Sequence, residues 1–346
     1  MSAGPRIGIL PHGSRATIAD VAGVTVGHCT LASGDVQTGV TVVRPHGGDP
    51  FRAKVPAAAV VVNGFGKSVG LLQVNELGVL ETPIALTNTF SVGTVATAQI
   101  RGAVAANPGI ARTTTSVNPL VFECSDAYLS DMQALAVAES HYAEALALAG
   151  TDFARGSVGA GRGMSCFGLK GGIGTASRLA NAASRDYVVG ALVLANFGKP
   201  ECLTLAGRRI GTVLARRLAA TAPQKDSGSI IVVLATDAPL DHRQLRRVAT
   251  RAGAGIARTG SFYGHGSGDI ALAFSTAQTI PLDGPPVGPF ETLAERLLDP
   301  LFEAAAEAAE QAIVDALFSA ETVSGFRGHV RRALTEVAPD WSTLAT

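Results

Sequence analysis

The stretch Asp226-Ser227-Gly228-Ser229-Ile230-Ile231-Val232-Val233-Leu234-Ala235-Thr236-Asp237-Ala238-Pro239-Leu240 joins two kinds of chain. Residues 221–227 are small and polar and suit an exposed loop. From Ile230 to Ala235 every residue is apolar and most are β-branched, the pattern of a strand buried on both faces. Ser229 therefore stands where a loop enters a rigid core element. Beside it, Gly228 has no Cβ, so its carbonyl can be approached closely. A hydroxyl in that place can take the acyl group of residue 228 by an N-to-O shift and so break the chain. The product is a serine with both its hydroxyl and an unblocked α-amine, whose pKa near ~8 makes it a usable base. The same residues also suit an ordinary loop tip ahead of a core strand. The stretch alone leaves both readings open.

On its C-terminal side, residues 240–257 predict an amphipathic helix with Leu245, Val248 and Ala252 inward and Arg246, Arg247 and Arg251 outward. A Gly-rich segment then leads to Ser267-Gly268-Asp269 and a strand over 270–275. Ser267 and Asp269 are two apart in extended chain, so they can point the same way and polarise a neighbouring hydroxyl; such residues are equally common in plain Gly-rich turns. Residues 290–317 read as Ala- and Glu-rich helix broken at Pro300, covering a sheet face or an oligomer contact.

On the N-terminal side, the apolar strand 187–195 ends in Asn196, whose amide can cap a turn or donate to a developing oxyanion. A basic-flanked helix is expected over 210–220. Residues 156–174 are Gly-rich and read as a turn region close to a site, and residues 131–149 as one helix of good propensity. A short strand over 118–124 carries Glu123 near its end. The small polar cluster 87–94 suits the cap of a helix over 95–106 or the wall of a polar pocket. A buried strand over 57–63 runs into Gly64-Phe65-Gly66-Lys67-Ser68. That segment lacks the earlier glycine of a phosphate loop, Val61 standing in its place, and misses the dinucleotide spacing. Nucleotide binding is rejected here.

Hydrophobic residues are 47% and charged residues 16% of the 346, which predicts a large buried core. Lys plus Arg equals Asp plus Glu at 28 each, so charge gives no argument for nucleic acid or an anionic membrane. Aromatic content of 5% argues against a stacking platform for bases. Cys29, Cys124, Cys166 and Cys202 are far apart, which suits reduced, mostly buried thiols rather than a disulfide frame or zinc site. With no signal-peptide pattern and no apolar run of membrane-spanning length, the expectation is a cytoplasmic protein of one domain. No H-E-x-x-H or Cys/His cluster calls for a metal, and no organic cofactor is expected.

Taken together, Pro83-Ile84-Ala85-Leu86-Thr87-Asn88-Thr89, residues 171–178, Ala195-Asn196-Phe197-Gly198, residues 228–240 and residues 256–276 resemble the L-aminopeptidase/D-esterase and β-aminopeptidyl peptidase group of self-processing N-terminal-nucleophile hydrolases. The resemblance implies an αββα sandwich of two central sheets flanked by helices, often assembled as tetramers of processed units. It implies cleavage between Gly228 and Ser229, giving pieces 1–228 and 229–346. It makes Ser229 the nucleophile, pairs Ser267 and Asp269 with it, and gives Asn196 a place in the oxyanion hole. Glu123 matches an acidic position that pairs with the ammonium group of a small peptide or amide substrate. Some members carry Glu where this chain has Asp269, and some carry Tyr where it has Ser125, with Tyr128 nearby. The implied activity is aminopeptidase or amidase hydrolysis through an acyl-enzyme. Alternatives are an acyltransferase on the same fold, a Ser-His-Asp triad built from His265 or His242 with Asp237, and a non-catalytic binding or assembly protein.

Overall fold

The computed structural model describes residues 4–218, 228–285 and 287–344; the loop expected over 221–227 lies outside the described residues. In chain order the strands that build the fold are β1 (Thr25–Ser33), β2 (Val36–Arg44), β3 (Ala53–Gly64), β4 (Ile84–Asn88), β5 (Leu120–Cys124), β6 (Gly172–Ala182), β7 (Arg185–Asn196), β8 (Ser229–Thr236) and β9 (Gly268–Ser275). The helices are α1 (Leu71–Leu77), α2 (Val92–Ala106), α3 (Glu139–Ala147), α4 (Gly211–Leu218), α5 (His242–Arg258) and α6 (Asp299–Ser319). One sheet has the order β1-β2-β4-β5. The other has β3-β9-β8-β7-β6, with two-residue strands at Val79–Leu80 and Ile280–Pro281 added along β3.

β8 lies inside the second sheet and shows why the layers stack as they do. Ile231, Val233 and Ala235 join Leu86, Phe122 and Cys124 in the core between the sheets. Ile230, Val232 and Leu234 join Leu245, Val248, Ala308 and Ala312 in the core under α5 and α6. Across the first sheet, Val40, Val42, Ala85 and Val121 pack with Val92, Val95, Tyr142 and Ala145 of α2 and α3. The result is helix, sheet, sheet, helix: the αββα sandwich. Each buried Ile or Leu stabilises this arrangement by about 1.5–3 kcal/mol. A one-residue slip of β8 would exchange its two faces, so the core itself fixes where Ser229 falls.

That register sets the site. Ser229 lies opposite Asn196 in the antiparallel pair β7–β8, and opposite Gly268 in the parallel pair β8–β9. Gly268 in turn lies opposite Gly64 at the end of β3. Behind the sheet, the Ala-rich α6 approaches closely because β6 carries Gly174; a Cβ there would sit 1.9 Å from the Ala312 carbonyl oxygen.

Three expectations are corrected. Pro300 does not break a helix: it sits in the first turn of α6, where the missing N–H has no intrahelical partner to lose. Residues 131–149 are not one helix. A 3₁₀ turn at Met132–Ala134 stops at Leu135, which has φ 46°, and α3 begins afresh at Glu139. The Gly-rich residues 156–174 are not turn alone, because Ile173 and Gly156 exchange backbone hydrogen bonds and β6 starts at Gly172. Of the cysteines, Cys29, Cys124 and Cys166 are buried as expected, and Cys202 is partly exposed.

Candidate active site

The strand ends meeting at the start of β8 bring Gly228, Ser229, Ser267, Asp269, Asn196 and Glu123 into one buried polar cluster. The Gly268 N–H donates to Ser229 Oγ at 3.1 Å. Ser267 Oγ donates to Asp269 Oδ1 at 2.6 Å, so the two-residue spacing does place both groups on the same side. A hydroxyl tied to a carboxylate beside a second hydroxyl is a means of orienting and polarising it. Gly228 lies so close to β7 that a Cβ would be 2.3 Å from the Asn196 carbonyl oxygen and 2.5 Å from Phe197 Cα. Its place before the serine requires glycine.

Asn196 is held at both ends of its amide. Oδ1 accepts from the Ser165 N–H at 2.8 Å, and Nδ2 donates to the Ser125 carbonyl at 2.9 Å. An amide nitrogen has two hydrogens, so one is left to serve a group at the site. Glu123 Oε1 accepts from the Lys67 N–H at 2.8 Å and Oε2 accepts from Thr89 Oγ1. The polar cluster 87–94 serves both purposes considered for it: Asn88 Oδ1 caps the next turn through Phe90 N and Ser91 N, while Thr89 lines the site.

Several residues here escaped the sequence reading. Cys124 donates its thiol to the Ser229 carbonyl at 3.4 Å, and burial pushes that thiol well above its usual range. The turn dismissed as a nucleotide loop crosses the site: Phe65 N donates to the Ser267 carbonyl at 3.2 Å, and Asn63 Nδ2 donates to the carbonyls of Gly264, His265 and Ser267. Lys170 is fully buried, with Nζ donating to the carbonyls of Gly161, Met164 and Gly171 at 2.8, 3.0 and 2.9 Å. Burial holds its pKa well below the ordinary lysine value, and Arg162 adds to that lowering. Tyr128, the nearby substitute for a missing tyrosine, is committed elsewhere. Its ring stacks on His329 at 4.5 Å and lies under the Arg331 guanidinium at 3.4 Å.

The histidine alternative does not assemble. Asp237 follows the far end of β8, about 25 Å of extended chain from Ser229, and accepts from the Val188 N–H. His242 Nδ1 bonds the Ala57 carbonyl at 2.7 Å, also at that far end. His265 is at the near end, with its ring 6.4 Å from that of Phe65.

Asp126, three residues after Glu123, has zero exposure, and burial pushes its carboxyl up to about 7 against the pull of the Thr38 and Asn88 side chains. A folded-state pKa above the unfolded value near ~3.9 means the native state binds more protons between pH 4 and 7. Stability from this group is therefore full below pH 4 and is lost as pH rises toward 7. His28 works in the opposite sense, since burial lowers it to about 4. The difference in unfolding free energy between wild type and Asp126→Asn, followed by urea titration, is expected to fall steadily across pH 4 to 7. A pH-independent difference would refute the assignment.

The sequence pattern of peptidase family S58 matches residues 16–331 of this chain. The chain belongs to peptidase family S58. It is similar to the β-peptidyl aminopeptidase BapA of Sphingosinicella microcystinivorans, 39% identical over 93% of this chain and 86% of that protein. Among solved structures, the PH0078 protein from Pyrococcus horikoshii superposes with a TM-score of 0.91 at 48% identity, covering 96% of this chain and 94% of that one. The L-aminopeptidase D-Ala-esterase/amidase from Ochrobactrum anthropi, described as a prototype for the serine aminopeptidases and a variant of the Ntn-hydrolase fold, gives 0.88 at 32%, covering 98% of each chain. The S58 chain is thus a serine aminopeptidase with an Ntn-hydrolase-like fold of two mixed sheets flanked by helices.

Proposed function

We propose that this S58 protein cleaves itself between Gly228 and Ser229 and then releases N-terminal residues from small peptides, amides or esters through an acyl-enzyme on Ser229. The observation that carries the reading is the hydroxyl of Ser229 at a Gly-Ser junction, bonded by the N–H of Gly268 between Ser267 and Asp269, with the buried carboxylate of Glu123 one residue from the Cys124 thiol that bonds the Ser229 carbonyl. In the first event Oγ attacks the Gly228 carbonyl carbon, the C–N bond breaks, and the hydroxyl proton passes to the departing nitrogen. Water then opens the ester, leaving a Gly228 carboxylate and a Ser229 with its amine exposed.

In turnover that amine takes the hydroxyl proton as Oγ attacks the substrate carbonyl. The remaining Asn196 N–H supports the oxyanion, and Ser267 with Asp269 orients the nucleophile. The proton then goes to the leaving amine, and water hydrolyses the ester. Glu123 receives the substrate's ammonium group, a charge-assisted bond that requires an unblocked N-terminus.

Paired substrates test this: aminoacyl p-nitroanilides with a free amine and the same compounds N-acetylated. A charge-assisted hydrogen bond is worth about 1.5–3 kcal/mol, so acetylation is expected to lower kcat/KM about 100-fold. Equal rates on the two series would remove the aminopeptidase reading.

A further inference from the structure

We propose that Gly66 sets the room available to the substrate's N-terminal residue, its missing side chain leaving space for a substituent on the carbon that carries the amine. The inference rests on the aminopeptidase reading above and adds a specificity-determining residue to it.

The turn after β3 bridges the two groups between which a substrate must lie. At one end it touches the nucleophile's neighbour. The point where a Gly268 Cβ would stand is 2.9 Å from the Phe65 carbonyl oxygen, 3.2 Å from Ser229 Oγ and 3.3 Å from Gly66 Cα. At the other end, the Lys67 N–H holds Glu123 Oε1 at 2.8 Å. Phe65, although more than half exposed, is steadied by the Lys67 ammonium over its ring at 4.2 Å.

Glycine at position 66 is not explained by backbone or packing. Its φ lies outside the left-handed region, and a Cβ there would meet Glu123 Oε1 at 3.6 Å, Ile270 Cδ1 at 3.7 Å and Gly268 Cα at 3.9 Å. Those are ordinary van der Waals contacts, so an alanine fits the unliganded protein. Its methyl would nevertheless stand between the carboxylate that takes the ammonium and β9, whose Gly268 N–H bonds the Ser229 hydroxyl. One carbon separates amine from carbonyl in an α-residue and two in a β-residue. In either case the amine-bearing carbon must lie beside Glu123, within reach of position 66.

The test uses p-nitroanilides of β-alanine, which has no substituent on that carbon, and of β-homoleucine, which carries an isobutyl group there. Wild type, Gly66→Ala and Gly66→Val are compared after mass spectrometry has checked self-cleavage and a melting curve has checked folding. One methylene's worth of lost room changes kcat/KM by about 10–200-fold. Gly66→Ala is expected to lower kcat/KM at least ~10-fold for β-homoleucine and under ~3-fold for β-alanine, with Gly66→Val widening the gap. Equal losses on both substrates, no loss on either, or failure of the variants to fold or self-cleave would overturn the assignment of Gly66 while leaving the activity in place. A wild type that hydrolyses neither compound, nor the p-nitroanilides of glycine and L-leucine, would overturn the aminopeptidase reading and this inference with it.

Discussion

Ser229→Ala is expected to yield one uncut polypeptide of about 35.2 kDa and no measurable hydrolysis, where wild type yields two. The physical reason is that alanine has no oxygen to receive the acyl group of residue 228, so no ester forms and the amide stays trans-planar and intact. Fragments 1–228 and 229–346 of the wild type should together exceed the precursor's mass by one water, the molecule that opens the ester. Loss of a serine nucleophile alone lowers turnover on the order of 10⁶-fold in a well-studied serine protease; here the variant also lacks the amine that serves as base. Folding should be spared, because alanine fits where the serine side chain is buried at the head of β8. Ser229→Cys separates chemistry from structure: its thiol can accept the acyl group, so cleavage should return. A wild type that remains one chain yet hydrolyses aminoacyl amides would sink the N-terminal-nucleophile mechanism, and an uncut Ser229→Ala that keeps full activity would sink Ser229.

How much of this was legible depended on whether the signal was local. The unbroken apolar run after Ser229 marks a core strand, and Asn196 marks the end of another; both stand where expected. What pairing puts beside Ser229 cannot be read locally. Parallel register between β8 and β9 brings Gly268 alongside it, and that depends on sheet order across a separation of 39 positions, from 229 to 268. Glu123 carries no local mark of function, and family resemblance alone singled it out. The turn at 64–67 lacks phosphate-loop spacing, and its backbone N–H groups serve carboxylate and carbonyl oxygens. The helix expected through Leu135 failed for a different reason. Its residues have adequate propensity, but a 3₁₀ turn capped by Asp131 and closed by the left-handed Leu135 interrupts them before α3 begins at Glu139.

Lys170→Met is expected to lower the melting temperature by about 4 °C. The ammonium is the shared donor for three carbonyls that loops bring together from positions 161, 164 and 171. Methionine has comparable length and no hydrogen to donate. The Gly161 and Met164 carbonyls also accept from the Met164 and Gly171 N–H groups, so each loses one of two bonds, about 1 kcal/mol apiece. The Gly171 carbonyl loses its partner at about 1–3 kcal/mol, for a sum on the order of 3 kcal/mol. A kcal/mol is worth roughly 1–2 °C in a chain of 346 residues, and a total stability of about 5–15 kcal/mol leaves little reserve. Burial already disfavours the charged lysine, so the change also relieves a desolvation cost. That relief is the smaller effect if all three donors are used, as the distances indicate. The damage should also reach the site, since Met164 precedes Ser165, whose N–H fixes Asn196 Oδ1 opposite Ser229. In whatever fraction folds and self-cleaves, kcat should fall with little change in KM, because the amide would be misaimed at the oxyanion while Glu123 still receives the ammonium group. A melting temperature within ~1 °C of wild type with unchanged kcat would show that the loops hold together, and Asn196 stays aimed, without the lysine.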